Sequence, residues 1–500
     1  MPQENLRKNP LFRAEDLGKR IPDTKHAISM CLPRWQDVVG YEERDPATMD
    51  RLELGYPRFY YHPLVEQAFA RFCPDEDKEG QVYTTQSTAE RAQAYIQSKH
   101  PDASVELREI DGSPCTVVAY PEDCAVSAKE YWQHAGEGIS SRCAEALLEG
   151  RELPDSTQAE QDILKRLAEF IKTDTENIYL FPSGMAAINA AFLAIQELHN
   201  NRPSVQFAFP YGDTLKLQEK MGVQNTLFYA RGDAADLQTL EGDLKSTPIN
   251  GLFCEFPTNP LLTSVDLPKL RELADKHHFP IIIDETLGAC INQNTLPVSD
   301  LSAISLTKFF SGTSDVMGGA LILNPNTPFA TRFKDLLCTI HERAAFHPAD
   351  IIQLEQDSRC CRERVEKINQ SALAVCEYLS KHSAVDSVYY PSITDREMYD
   401  RFKRPEGGYG GLFSFVLKDA VNVTETFYDA LEITKGPNLG TSFSLCCPFT
   451  LIAHYNELDW AESAGASRYL IRISAGLEPA SELISRIENA ISKSTAVDLD

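Results

Sequence analysis

Ile163, Leu164, Leu167, Phe170 and Ile171 recur at helical spacing, and a second helical run led by Ser183 extends through Leu198. From 205 to 323 the pattern changes. Short β-rich runs at 205–209, 226–230, Gly251–Glu255, 280–284, 303–306 and Gly319–Leu323 alternate with helical stretches, most clearly Leu267–His277. Such alternation predicts an α/β fold with a mostly parallel central sheet covered on both faces by helices, in which ligands gather at the carboxyl ends of the strands. Residues 327–382 read as helical, with Pro348 the only breaker after the opening Thr327-Pro328. The remainder mixes β-rich runs (411–417, 469–474) with helical ones (424–431, 480–491), as expected of a smaller C-terminal α+β domain. Four sections follow: an arm at 1–72, an acidic inserted subdomain at 73–155, a large α/β domain at 156–365 and the α+β domain at 366–500.

Composition narrows the partners. The 500 residues carry 48 Lys and Arg against 73 Asp and Glu, a net charge of −25 that argues against nucleic acid or an anionic membrane as the main partner. Residues 74–155 hold 17 acidic and 7 basic side chains, which read as a solvated face outside the catalytic motifs. No apolar run approaches the roughly 18 residues a membrane span needs. The polar N-terminus lacks the features of a signal or transit peptide, so a cytoplasmic protein is expected. Thirteen cysteines without C-x-x-C or zinc spacing read as reduced core thiols, and no metal site is expected.

Chemistry concentrates where the apolar strands end. Asp284 closes the run at 280–284, and Lys308 follows the run at 303–306. Either residue alone reads as a surface side chain. Together they suit pyridoxal 5′-phosphate, which needs a lysine to carry it and a carboxylate to keep its ring nitrogen protonated. Ser183-Gly184-Met185 opens a helix, where free N–H groups and the helix dipole receive a phosphate, and Ser305 and Thr307 flank the lysine as hydroxyl donors.

The segments LFPSGMAAI (180–188), EFPTNPLL (255–262), IDET (283–286) and SLTKFFSGTSDVMGG (305–319) resemble the successive motifs of the Cys/Met-metabolism family of PLP-dependent enzymes. GYPRFYYHP, GEGISSR, FPYGDTLKL and CPFTLIAHYNELDWA look most like its fungal cystathionine γ-synthase branch. The resemblance implies PLP fold type I, like aspartate aminotransferase. It also implies Lys308 as the coenzyme-bearing and proton-moving lysine, Asp284 on the pyridine nitrogen, and Gly184, Met185, Ser305 and Thr307 at the phosphate. Tyr211 would stack on the ring and assist proton transfer, and Asn259 would lie near the phenolic oxygen. Arg472 would clamp the substrate carboxylate. Tyr56 and Arg58 match a Tyr-x-Arg motif that reaches the phosphate of a neighbouring subunit, which implies a homodimer or homotetramer with shared sites. Packing aromatics at 56 and 211, and a structural ion pair at Arg472, are the competing readings. The histidines carry no motif and read as structural.

Two positions depart from the family pattern. Asn438-Leu439-Gly440 stands where Ser-Leu-Gly is common near the substrate carboxylate, and Tyr211-Gly212-Asp213-Thr214-Leu215-Lys216 stands for Tyr-Gly-Gly-Thr-x-Arg. The implied activity is γ-substitution on an O-acyl-L-homoserine, with cysteine as nucleophile. A specialised enzyme using another thiol, amine or carbon nucleophile, motivated by Asn438, stands beside it. A cystathionine lyase and a non-catalytic paralogue rank below both.

Overall fold

A computed structural model describes residues 2–199, 201–342 and 344–495. The acidic section forms an antiparallel three-stranded sheet of β1 (Glu79–Tyr83), β2 (Glu106–Glu109) and β3 (Thr116–Tyr120), in the order β1-β3-β2. Helices Pro63–Phe72, Gln86–Lys99, Ala125–Ala135 and Ser141–Glu149 pack around it. Its core holds Val65, Ala68, Val82, Tyr83, Ala92, Ile96, Val118 and Trp132, so this unit buries an apolar centre of its own. Its charge is not all solvated. Glu137 is buried and takes a hydrogen bond of 2.7 Å from the Tyr131 hydroxyl and an ion pair of 2.5 Å from Arg91.

The large sheet has seven strands: β4 (Ile178–Phe181), β5 (Ser204–Phe207), β6 (Leu227–Tyr229), β7 (Gly251–Glu255), β8 (Ile281–Asp284), β9 (Leu301–Ser305) and β10 (Gly319–Leu323). Their order is β4-β10-β9-β8-β7-β5-β6, and only β10 runs antiparallel to its neighbours. Strand alternation explains why both faces are covered. Ile281 and Ile283 pack with Leu270, Leu273 and Ala274 of helix Leu267–His277, whereas Ile282 joins the cluster of helix Gly184–Leu198. Asp284 continues that alternation and falls on the same side as Ile282. The edge strand β4 escapes the sequence reading because its four residues run straight into the Ser183 turn.

Beyond helices Ala330–Glu342, Pro348–Ser358 and Cys361–Leu379, five strands form the second large sheet: β11 (Val385–Tyr389), β12 (Leu412–Leu417), β13 (Thr434–Lys435), β14 (Leu445–Pro448) and β15 (Ile471–Ser474). Their order is β11-β12-β15-β14-β13. Among the described residues no helix is long and apolar enough to cross a membrane.

The N-terminal arm lies on this second sheet unit. Leu32 N–H donates to the Lys435 carbonyl (3.1 Å), and the Tyr428 hydroxyl donates back to the Leu32 carbonyl (2.8 Å). Trp35 N–H donates to Asp429 (2.8 Å). Lys435 is fully buried and donates to the Pro33 carbonyl at 2.9 Å. Burial pushes its pKa down to about 8, because a charged ammonium is poorly solvated there.

Candidate active site

A cavity of about 510 Å³ opens at the carboxyl ends of the large-sheet strands. β7, β8 and β9 deliver Glu255, Asp284 and, one turn later, Lys308 to its wall, which is where a doubly covered parallel sheet leaves room for a ligand. Tyr56, Arg58, Ser183, Gly184, Met185, Tyr211, Asn259, Ser305 and Arg472 line the same cavity.

Burial lowers the pKa of Lys308, and the nearby Arg58 and Arg472 charges add to the effect while Tyr56 opposes it. A lysine so placed is more readily the neutral nucleophile that carbonyl chemistry requires. Its Nζ donates to the Tyr56 hydroxyl at 3.3 Å and to Asn438 Oδ1. Asn438 donates in turn to Ser314 Oγ at 2.9 Å. The substitution noted at 438 therefore acts on the lysine, not on the arginine expected to hold substrate. Burial resists ionisation of the Tyr56 phenol, but Lys308 and Arg58 overcome it and bring its pKa below a phenol's usual value. The Tyr211 hydroxyl moves the other way, raised by burial.

Two charged groups lack counterions. Asp284 accepts the Thr286 N–H at 2.8 Å, and burial raises its pKa. No cation among the described residues pairs with it. Arg472 is 4% exposed, donates to Asn259 Oδ1 (3.1 Å) and the Pro437 carbonyl (2.7 Å), and stands 4.6 Å over the Phe449 ring. No carboxylate among the described residues pairs with it, which removes the structural ion-pair reading. A half-buried carboxylate without a cation and a buried guanidinium without an anion are costly alone, and a ligand can satisfy both.

Ser183 caps helix Gly184–Leu198 by accepting the Ala186 N–H (3.0 Å), which leaves the Gly184 and Met185 amides at the cavity wall. A side chain at 184 would bring its Cβ within 2.7 Å of Ser305 Cβ, so glycine permits the close approach of helix and strand end. Gly184→Ala should lower thermal stability by about 1–3 kcal/mol through overpacking. It should also weaken pyridoxal phosphate binding, as read by a melt and a coenzyme titration; an unchanged affinity would remove this helix end from the phosphate site. Thr307 stands apart. Its hydroxyl is engaged by the Gly318 backbone, accepting the N–H at 3.1 Å and facing the carbonyl at 3.3 Å, and it does not line the cavity.

Several contributors were not legible as such. Glu255 accepts the N–H groups of Tyr211 and Asn259, the latter at 2.8 Å, and so fixes both loops. Burial, then the neighbouring Asp284, pushes its pKa up to about 8. Asp213 pairs with Arg58, and His134 Nδ1 lies 3.1 Å from Asp213 Oδ1. Glu130, Gln133 and His134 of the acidic subdomain line the cavity, so that unit is not remote from the chemistry. The pairing of Glu255 with Asp284 across β7 and β8 was the available sequence signal, since both close apolar runs. Nothing in the sequence marked His134.

Tyr56 and Arg58 line the cavity of their own chain, because the arm that carries them is fastened on one side to β13 and on the other to the subdomain helix Ala125–Ala135.

These features fit pyridoxal phosphate: a lysine of lowered pKa, a carboxylate lacking a cation, and free helix-terminal amides around one cavity. The comparisons with known proteins agree. The profile of the Cys/Met metabolism PLP-dependent enzymes matches residues 157–492, and that of the fungal trans-sulfuration enzyme N-terminal domain matches residues 62–140. A cystathionine gamma-synthase of Neurospora crassa is 35% identical over 95% of this chain and 98% of its own. The cystathionine gamma-synthase-like protein ankD of Aspergillus thermomutatus is 33% identical over 94% of this chain and 93% of its own. The crystal structure of a cystathionine gamma synthase from Xanthomonas oryzae pv. oryzae shares the fold with a TM-score of 0.60 at 24% identity, over 69% of this chain and 89% of that one. Sequence motifs, fold and site converge on one assignment: this chain belongs to the Cys/Met-metabolism family of PLP-dependent enzymes, within its cystathionine γ-synthase-like branch.

Proposed function

We propose that the protein catalyses γ-substitution on an O-acyl-L-homoserine, replacing the acyloxy group by cysteine to give cystathionine. The observation that carries this reading is the pair of unmatched charges, Asp284 and Arg472, lining the same cavity as Lys308. They divide the cavity into a coenzyme end and an amino-acid carboxylate end. The name of the Neurospora relative supports cysteine as nucleophile.

Bound pyridoxal phosphate supplies an electron sink for the substrate's Cα, and Asp284 keeps its ring nitrogen protonated. Arg472 holds the α-carboxylate through two parallel hydrogen bonds, with Asn259 and the Pro437 carbonyl fixing its plane. Lys308, freed by substrate, takes the Cα proton, and its lowered pKa suits it to that task near neutrality. Removal of a Cβ proton then expels the acyloxy group from Cγ. Tyr56, at 3.3 Å from Nζ, is placed to exchange a proton with Lys308 between these steps. After the thiol adds at Cγ, protons return to Cβ and Cα. Tyr211 closes one side of the cavity, with its hydroxyl held by Arg58 and, at 3.2 Å, by Asp213.

Asn438 favours a second reading, a specialised enzyme that uses another nucleophile, and the name of the ankD relative is compatible with it. Its amide spans from Lys308 to Ser314, a reach that serine lacks. Asn438→Ser should lower kcat by about tenfold, the order of one hydrogen bond to a charged group, and leave coenzyme affinity near wild type. Incubating the enzyme with O-acetyl-, O-succinyl- and O-phospho-L-homoserine against cysteine, sulfide, amines and β-keto acids tests both readings by product mass. Cystathionine from cysteine supports the first; product from another nucleophile alone supports the second and overturns the first.

A further inference from the structure

The sulfurs of Cys115 and Cys143 lie 3.7 Å apart and share a hydrogen bond, and both residues are 4% exposed. Among the described residues no other two thiols are hydrogen-bonded to each other. Cys115 leads into β3 and Cys143 sits in the first turn of helix Ser141–Glu149, so the subdomain brings together two thiols 28 residues apart in the chain. A disulfide holds its sulfurs at about 2.0 Å. The remaining approach is within the swing of two side chains already in contact.

The two thiols differ in their surroundings. Ser140 Oγ caps the helix by accepting the Cys143 N–H at 3.0 Å, and the neighbouring Arg142 donates to the Asp315 carbonyl (2.7 Å) and pairs with Asp350 (3.4 Å), which fastens this helix to the large domain. Cys115 directly follows the mostly exposed turn at 111–114, whose closing bond from Ile110 N–H to the Cys115 carbonyl is long, at 3.4 Å. Local opening of such a turn admits a small molecule without unfolding the core. With Cys143 as hydrogen-bond donor, its thiol lowers the pKa of Cys115 against the effect of burial, and Cys143 is raised in turn. Cys115 is thus the readier nucleophile of the two.

The chain between the cysteines forms one wall of the active-site cavity. It carries Glu130, Gln133 and His134, which line that cavity, and Gly136, whose carbonyl accepts the Ser183 hydroxyl at 2.8 Å where helix Gly184–Leu198 begins.

We propose that Cys115 and Cys143 form a reversible disulfide, with a small-molecule disulfide as oxidant, which closes a covalent ring through the subdomain wall of the cavity. The Cys115 thiolate attacks one sulfur of the oxidant and expels the first small thiol, leaving a mixed disulfide. The Cys143 thiolate then attacks Cys115 Sγ and expels the second. The pair loses two electrons and two protons, and the oxidant is reduced to two thiols. Excess small thiol reverses both steps.

The purified full chain is equilibrated with glutathione over a range of reduced-to-oxidised ratios, quenched in acid, alkylated and digested without reduction. Mass spectrometry should find the Cys115 and Cys143 peptides joined, and separate again after dithiothreitol. The exposed Cys338 and Cys360 are expected to take up glutathione singly and are read at their own peptides. Closing a ring between thiols 28 residues apart should raise the melting temperature on the order of 5 °C. In Cys143→Ala the joined peptide and the rise should both disappear. Should that variant misfold, Cys115→Ala gives the same test, with the circular dichroism spectrum as the check. Failure of the joined peptide to form at any ratio in the folded chain, or its appearance only in denaturant, would overturn the proposal. So would a rise that persists in Cys143→Ala, or oxidation that leaves the melting temperature unchanged or lower.

Discussion

Lys308→Ala should leave the protein folded but colourless in the presence of pyridoxal phosphate, with turnover reduced by at least about 10³-fold. The size of the effect follows from the number of tasks that meet at one amine. In the proposed mechanism Lys308 carries the coenzyme, takes the proton from Cα and returns it, and among the described residues the other lysines that line the cavity, Lys216 and Lys220, pair with Glu219 and Glu130. Absorbance spectra and a product assay on the purified variant check this. A variant that keeps its colour, or turnover within tenfold of wild type, would place the chemistry elsewhere.

Arg472→Ala should retain the coloured coenzyme yet lose the amino-acid substrate. Truncating one partner of a buried, hydrogen-bonded charge pair costs about 2–5 kcal/mol, or roughly 30- to 5,000-fold in kcat/KM, expressed mainly as a raised KM for the amino acid. Arg472→Lys should recover only part of the loss, because an ammonium cannot form the two parallel bonds of a guanidinium. Steady-state kinetics on both variants separate this from a packing role. If Phe449 stacking were all that mattered, KM would be unchanged and the loss would appear as a lower melting temperature.

Much of the large sheet was legible because its strands are buried on both faces and so appear as uninterrupted apolar runs. The polar residue that ends each run, Asp284 after Ile281–Ile283 or Lys308 after β9, was conspicuous for the same reason. The second sheet was less legible. β13 has two residues and β14 begins at Leu445 within a run of Ser and Cys, so neither carries a period. The residues proposed to hold the phosphate were readable from a local signal, a Ser-led helix. Arg58, Asp213 and His134 meet from positions far apart in the chain, and their partnership is tertiary. Asp213 had been visible only as a departure from a Gly-Gly pair, and its structural partner explains the departure. Asn438 likewise became interpretable only once its carbonyl was seen against Lys308.

The central claim is that Lys308 moves protons at Cα and Cβ so that the nucleophile enters at Cγ. It is tested most directly by running the reaction in D2O and locating the label in the substitution product by NMR. The account predicts one deuterium at Cα and one at Cβ, with none at Cγ. A product unlabelled at Cα and Cβ would mean direct displacement at Cγ without proton transfer, and would contradict it.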